Sequence, residues 1–256
     1  MTEALLHACD VNLWQADVLF FGSSLKGEVT ELHDLHLACC GFPASEFNAA
    51  FLKLPDGDLP AAIARAEAYF ARLEQPFHFS VRSDWEDRCA PALRAAGYAP
   101  TGGAPAMVLD PSRDGAAEIP GLEIDTVRTP EELITFQETA FDGFGLPKQF
   151  GALFLTERLL RAPGVELYLG RIDGTPVSTS CLIPTQDVGG IYWVATLESH
   201  RKRGLGEALT WAAVRGGTAQ GCRVASLQAS AMGAPVYQRM GFRTTLEYLK
   251  YRPAEG

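Results

Sequence analysis

One stretch of the sequence decides the fold: Arg201-Lys202-Arg203-Gly204-Leu205-Gly206-Glu207. It lies between an apolar, strand-like segment and a helix-like segment. Gly204 and Gly206 lack side chains, so their amides can approach an anion closely. A helix that begins here leaves unpaired N–H groups and a partial positive charge at its start. Because three cationic side chains add to that charge, the stretch predicts a phosphate-binding loop.

The loop differs from two common nucleotide sites. Its spacing is not Gly-x-Gly-x-x-Gly, and no Gly-Lys-Ser/Thr follows, which disfavours a dinucleotide fold and a P-loop. The simple alternative is a solvated basic turn ahead of a helix. A second element decides between them. This element is Pro235-Val236-Tyr237-Gln238-Arg239-Met240-Gly241-Phe242, which predicts a short helix that carries Tyr237 and ends in a strand.

Around these two elements the sequence predicts a β-α-α-β-β-β-α-β-α-β order. The capping box at Thr129 and Glu132 marks the first helix, and a second helix is expected to run to about Arg161. The other predicted elements are strands at 122–127, 165–172, 177–183, 190–197, 223–228 and 242–251, and helices at 204–219 and 233–240. This order is typical of the α/β class, with a mixed sheet and helices on both faces.

The N-terminal half shows a weak repeat of the same pattern. Leu93–Tyr98 closes a helix into a strand, as Tyr237–Phe242 does. The predicted elements are helices at 5–21, 59–73 and 84–96, and strands at 35–40, 47–52, 77–81 and 106–109. The Pro-, Gly- and charge-rich segment Asp110–Gly121 is predicted to be a linker. We therefore predict two related domains, at residues 1–112 and 120–256.

Residues 122–252 resemble the GNAT superfamily of N-acetyltransferases. The family pattern is Arg/Gln-x-x-Gly-x-Gly/Ala, a helix and a strand, then a short helix that carries Tyr before Gly-Phe. Both parts stand in this sequence. The resemblance implies tandem GNAT-like folds, acetyl-CoA as co-substrate, and a splayed sheet that admits pantetheine.

The resemblance also implies the cofactor-binding residues. The strand Val194-Ala195-Thr196 would pair its backbone with pantetheine. The amides of Lys202, Arg203, Gly204, Leu205, Gly206 and Glu207 would hold the pyrophosphate, with Arg201 ahead of them. Ser230 stands where the family often has an Asn that contacts the cofactor, and this departure puts that contact in doubt.

Tyr237 is the candidate general acid, because a departing thiolate needs a proton and a tyrosine of pKa ~10 is neutral at physiological pH. No acid lies on the strand where the family often places the general base. Glu166, Asp187 and Gln228 are the possible contributors, the last by ordering a water, while His200 is expected near the cofactor. Four aromatic residues fall in the helices that would wall the acceptor site: Phe141, Phe144, Phe150 and Phe154.

The first copy lacks these features. Its residue that matches Tyr237 is Leu93, and its loop Leu54–Pro60 offers Asp56 and Asp58, which would repel a pyrophosphate. We therefore expect a degenerate, non-catalytic copy. Two other readings of the chain stay open, a non-catalytic acyl-CoA sensor and an ATP-binding domain, although the latter lacks the P-loop residues.

Composition limits the functional classes. The chain has 256 residues, is 47% hydrophobic and carries a net charge of -9, which is typical of a globular protein and argues against binding nucleic acid. Six cysteines without zinc-site spacing indicate reduced core thiols and no metal site. The sequence shows no signal peptide or membrane span. We expect a cytoplasmic enzyme that acts on a small-molecule or peptide amine, with a homodimer as a possible assembly.

Overall fold

The computed structural model describes residues 2–22, 26–112, 115 and 119–254. The predicted linker 110–121 therefore lies partly outside the described residues. The helices are α1 (Glu3–Phe20), α2 (Leu59–Leu73), α3 (Glu86–Ala95), α4 (Pro130–Gly143), α5 (Gly151–Phe154), α6 (Glu157–Leu160), α7 (Leu205–Ala219) and α8 (Ala234–Met240). The strands are β1 (Glu28–Glu31), β2 (Leu35–Cys39), β3 (Ala49–Leu52), β4 (His78–Arg82), β5 (Tyr98–Leu109), β6 (Leu122–Thr126), β7 (Glu166–Ile172), β8 (Thr175–Thr185), β9 (Val188–Thr196), β10 (Val224–Gln228) and β11 (Arg243–Pro253).

The chain divides into two compact units that differ from the two predicted halves. One unit holds residues up to Phe20 together with Met107–Thr245, and the other holds Phe21–Ala106 with the residues from Leu246 onward. Helix α1 packs on β8 and β9, so it belongs with the C-terminal half of the sequence. Most of the last strand, β11, is grouped with the N-terminal half. The two halves are therefore repeats along the sequence, whereas each compact unit also contains a segment from the other half.

The unit that contains Met107–Thr245 is a mixed sheet with helices packed on it. Strands β6, β7, β8 and β9 follow one another antiparallel, and β10 then pairs parallel to β9. Helices α4 and α7 both pack on β7, β8 and β9. The predicted capping box of α4 is present, since Thr129 Oγ1 accepts from Glu132 N and the Glu132 carboxylate accepts from Thr129 N. The expected second helix to Arg161 is instead the two short helices α5 and α6.

The other unit repeats this order. Strands β1, β2 and β3 are antiparallel, β4 pairs parallel to β3, and the part of β11 that belongs to this unit pairs antiparallel to β4. Helix α2 has 15 residues, as α7 has, and Ile63, Ala66 and Phe70 are buried in the core as predicted. The repeat of strand, helix, parallel strand, short helix and strand is therefore present in both halves of the chain.

The cysteines and the helices give two further findings. All six cysteines are buried and free, which confirms the prediction of reduced core thiols. Burial raises the pKa of the Cys9 and Cys40 thiols to about 11, so these groups are protonated at neutral pH. Within the described part of the chain, no helix has the length and apolar character needed to cross a membrane.

Candidate functional site

The loop between β9 and α7 has two residues in the left-handed conformation. Lys202 and Gly204 have φ angles of 62° and 80°, in the left-handed region, and Gly204 is the N-cap of α7. Left-handed residues that alternate with ordinary ones turn successive N–H groups toward one side, which forms an anion-binding concavity. The glycine at 204 adopts this conformation without the strain that a Cβ would add.

The amides of this loop lack acceptors. No described residue accepts a hydrogen bond from the backbone N–H groups of residues 202–207, and the first paired amide is Ala208 N, which donates to Gly204 O at 3.0 Å. Lys202 and Arg203 are exposed and form no ion pair with the described residues. Six unpaired donors, two cations and a helix start together favour the binding of an anion.

Arg201 has a different position from the one that its charge suggests. Its Nη2 donates to Gly143 O at 2.8 Å and its Nε to Thr196 O at 3.3 Å. The guanidinium therefore ties the end of α4 to the end of β9. These two hydrogen bonds fix Arg201 at the start of the loop, and the exposed cationic charge of the loop comes from Lys202 and Arg203.

The sheet opens beside this loop. Strands β9 and β10 pair only from Val188 to Gly190, although β9 continues to Thr196. A Cβ added to Gly206 would lie 3.7 Å from Thr196 Oγ1 and 3.9 Å from Val194 Cγ1, which are ordinary contacts. The start of α7 therefore lies over the Val194 and Thr196 side chains, in the part of β9 that β10 leaves unpaired.

Tyr237 lies on α8 and is 8% exposed. Burial raises its pKa to about 12, and hydrogen bonding with Thr210 opposes part of that rise. Thr210 Oγ1 in turn donates to Gly206 O at 2.7 Å. The phenol is thus linked through Thr210 to the anion-binding loop. Thr210 was not found from the sequence, and its signal is its position one helical turn after Gly206.

The remaining predicted cofactor residues take varied positions. Leu205 is buried with Ile172 and Val177, so only its backbone amide is available to a ligand. Glu207 is half-buried. The Ser230 hydroxyl accepts a hydrogen bond from Gly233 N at 3.1 Å and stabilises the turn ahead of α8.

The residues considered as general bases, and His200, lie in different surroundings. The Glu166 carboxylate accepts from the Tyr168 hydroxyl, and Asp187 pairs with Arg223 at 3.4 Å. Gln228 is half-buried at the end of β10, beyond the part that pairs with β9, and no described residue bonds its side chain. His200 Nδ1 lies 2.9 Å from Ser199 Oγ, next to the loop.

The start of α2, which follows the corresponding loop of the first copy, is satisfied by acceptors of its own chain. Asp58 caps α2 by accepting from Ala61 N at 3.1 Å with its side chain and from Ala62 N at 2.9 Å with its carbonyl. Leu59 N donates to Gly57 O at 2.9 Å, and Pro60 has no N–H. The first turn of α2 is therefore satisfied by its own chain, whereas that of α7 is not.

An aromatic group forms near the open edge of β9. The indole of Trp193 stacks on Phe141, with 5.2 Å between ring centroids and an interplanar angle of 17°. Phe144 and Phe154 meet the same indole edge-on. Three of the four aromatic residues singled out in the sequence thus converge on Trp193, a residue that the sequence analysis did not select.

The comparisons with known proteins agree with this geometry. Residues 131–242 match the family model described as Acetyltransferase (GNAT) family. No curated protein sequence matches the chain. Among solved structures, a GCN5-related N-acetyltransferase from Kribbella flavida is 21% identical with a TM-score of 0.74, over 97% of this chain and 96% of that one. A GCN5-related N-acetyltransferase from Sphaerobacter thermophilus is 18% identical with a TM-score of 0.66, over 88% and 84% of the chains.

A third solved structure bears on the repeat. A tandem GNAT protein from the clavulanic acid biosynthesis pathway is 13% identical with a TM-score of 0.64, and the match covers 96% of both chains. These likenesses show a shared fold over nearly the whole chain. Residues 131–242 therefore match the GNAT acetyltransferase family, within a fold that nearly the whole chain shares with a tandem GNAT protein.

Proposed function

We propose that this chain transfers an acetyl group from acetyl-CoA to a primary amine. The observation that carries the proposal is the run of unpaired amides from Lys202 to Glu207, at the start of α7 and beside an open strand edge. A pyrophosphate supplies the negative charge and the acceptor oxygens that these donors lack. The exposed cations Lys202 and Arg203 add long-range attraction in a protein whose net charge is -9.

The rest of the cofactor would follow β9. Pantetheine carries amide groups, and the backbone of Val194, Ala195 and Thr196 borders the part of β9 that β10 leaves unpaired. Trp193 and Val194 also lie at the register shift between β8 and β9 and have no partner in that ladder. In this arrangement the pyrophosphate lies at Gly206 and the thioester lies farther along β9, toward Trp193.

The reaction is a direct displacement. The amine nitrogen attacks the thioester carbonyl carbon, a C–N bond forms, the C–S bond breaks, and the sulfur leaves with its electron pair. Tyr237 would donate its hydroxyl proton toward that sulfur. Because its pKa is about 12, the phenol stays protonated at neutral pH and is available in every turnover.

The attacking amine must lose a proton as well. Glu166 and Asp187 are engaged by Tyr168 and Arg223, which leaves Gln228 as the group best placed among the three. An amide does not accept a proton at neutral pH, but it can orient a water that passes the proton on to the bulk solvent. We therefore assign Gln228 the role of ordering that water.

The first copy has no catalytic role in this proposal. Leu93 replaces the tyrosine and is fully buried, and the start of α2 is capped by Asp58. The copy supplies packing to its own unit and leaves one cofactor site per chain.

The rival function is an acyl-CoA-binding module without chemistry, which the raised pKa of Tyr237 favours because a weak acid is a poor proton donor. The test follows CoA thiol release with a panel of primary amines, for the wild type and Tyr237→Phe. We expect kcat to fall by roughly 10²–10⁴ with little change in the Kd for acetyl-CoA. The control is Tyr98→Phe, at a buried tyrosine of the other unit. Equal turnover in Tyr237→Phe would remove Tyr237 from the reaction, and tight acetyl-CoA binding without any amine acetylation would favour the binding module.

A further inference from the structure

The aromatic cluster around Trp193 has a buried floor and an exposed rim. Its rings surround the indole at centroid distances from 5.2 to 6.1 Å, and its members are Phe20, Phe141, Phe144, Phe154 and Trp193. Phe141, Phe154 and Phe20 are 1%, 3% and 6% exposed. Trp193 is half-buried and Phe144 is 48% exposed. A large apolar side chain on a rim beside a buried floor leaves apolar surface open to a ligand.

The backbone at Trp193 is held in an uncommon conformation. Its φ is 50°, in the left-handed region that non-glycine residues rarely adopt. The register of β8 and β9 shifts here, and Trp193 has no ladder partner. The Thr179 hydroxyl donates to Trp193 O at 2.8 Å, and Phe141 stacks on the ring. A bulge of this kind re-aims a side chain, and such strained positions cluster at ligand sites.

The rim lies next to the proposed path of pantetheine. Phe144 follows Gly143, and a Cβ on Gly143 would lie 2.9 Å from Ala195 Cβ and 3.2 Å from Thr196 N. Trp193 directly precedes Val194. The exposed ring of Phe144 and the half-buried indole of Trp193 therefore border the segment of β9 on which the acetyl-CoA arm is proposed to lie. A molecule on these rings would hold its reacting group close to the thioester.

The chemistry of the rim selects the ligand. The carboxylate nearest to it in sequence, that of Asp142, pairs with Lys148 at 3.0 Å, so it is engaged by a cation of the chain. Indole and phenyl rings bind flat apolar groups by stacking and edge contacts. A polycationic acceptor would instead be expected to use a row of free carboxylates.

We propose that the acceptor is a primary amine joined through a short chain to an aromatic ring, and that this ring packs against Trp193 and Phe144. The inference rests on the proposed acetyl transfer and adds the substrate class. The amino group then extends toward the open edge of β9, and the rings exclude water around it.

The experiment measures kcat/KM for three acceptors: 2-phenylethylamine, butylamine and spermidine. We expect the aromatic amine to be preferred over both others by about tenfold or more. In Phe144→Ala, kcat/KM for the aromatic amine should fall by about tenfold, mainly through KM, with little change for butylamine. Trp193→Leu should have a larger effect of the same kind.

Ile134→Ala provides the matched control. Ile134 lies on the same helix as Phe141 and is 54% exposed, but it is outside the aromatic cluster, so no change in preference is expected. Equal use of the three amines, or loss of all three equally in Phe144→Ala, would overturn the substrate class and leave acetyl transfer standing. Absence of acetylation with every amine would overturn the proposed function, and the substrate class would fall with it.

Discussion

The clearest test of the phosphate-binding loop is Gly206→Val, compared with Gly206→Ala, because the family pattern accepts either glycine or alanine at this position. A methyl group at this position meets only ordinary contacts with the protein, at 3.7 Å from Thr196 Oγ1 and 3.9 Å from Val194 Cγ1. Gly206 lies in the first turn of α7, where alanine is favoured over glycine by up to about 1 kcal/mol. The free energy of unfolding should therefore stay the same or rise slightly.

Cofactor binding should separate the two variants. The alanine methyl group makes only ordinary contacts with the Thr196 and Val194 side chains, so the Kd for acetyl-CoA should stay close to that of the wild type. The two further methyl groups of valine would press on these side chains, so the first turn of α7 must shift and the pyrophosphate should lose contact with at least one unpaired amide. Loss of one charge-assisted hydrogen bond costs about 1.5–3 kcal/mol, which corresponds to an increase in Kd of roughly 10- to 150-fold.

The assay is isothermal titration with acetyl-CoA and desulfo-CoA, with thermal unfolding of the same samples. Gly57→Ala is the matched control, since Gly57 lies in the corresponding loop of the first copy and an added Cβ there lies 3.6 Å from Leu54 atoms. Its Kd should equal that of the wild type. If folded Gly206→Val binds acetyl-CoA within twofold of the wild type, the pyrophosphate does not lie at this helix start.

Three further predictions address the rest of the molecule. Titration of the whole chain should give one acetyl-CoA site per polypeptide, because Asp58 already caps α2; a second site that survives Gly206→Val would contradict this. Thr210→Val should lower kcat at unchanged Kd for acetyl-CoA because it removes the hydroxyl that orients Tyr237, and Thr210→Ser should restore kcat; if Val and Ser behave alike, the hydroxyl has no positioning role. Burial lowers the pKa of His78 to about 4 from an ordinary 6.5, so between these pH values the unfolded chain binds more protons. Stability should therefore fall by about 3 kcal/mol from pH 7 to pH 4 on this account, and urea unfolding of His78→Asn should show a flatter dependence.

The parts of the fold that the sequence predicted are those with local signals. Helix α2 was expected at residues 59–73 and lies there, because its apolar spacing and its N-terminal Asp-Leu-Pro specify one face and one start. Strand β5 was expected only at 106–109 but begins at Tyr98. Its Gly and Pro residues argue against a strand when read alone. A Cβ on Gly103 would lie 2.9 Å from Tyr248 O, so the glycine permits the close approach of a neighbouring backbone.

Contacts between distant residues account for what the sequence did not predict. Helix α1 is fixed to the second half through Asn12, whose amide donates to Ile183 O at 2.9 Å and whose oxygen accepts from the Tyr192 hydroxyl at 2.6 Å. Gly190 makes this possible, because a Cβ there would lie 1.9 Å from Asn12 Oδ1. These partners are more than 170 residues apart, so no local pattern could have joined them. The aromatic cluster has the same origin, since Phe20 of α1 meets Trp193 of β9.

The acidity of Tyr237 decides how the site must operate. A phenol of pKa about 12 facing a thiol of pKa ~8.5 in water would lose about 5 kcal/mol on proton transfer. Burial raises the pKa of a thiol in the same direction as that of a phenol, as it does for Cys9 of this chain, so exclusion of water from the departing sulfur narrows the mismatch. In the proposed reaction, Tyr237 would therefore be a competent acid only when water is excluded from the departing sulfur. An apolar acceptor that covers Trp193 and Phe144 would provide that exclusion, so the raised pKa of Tyr237 and the aromatic cluster favour the same class of substrate.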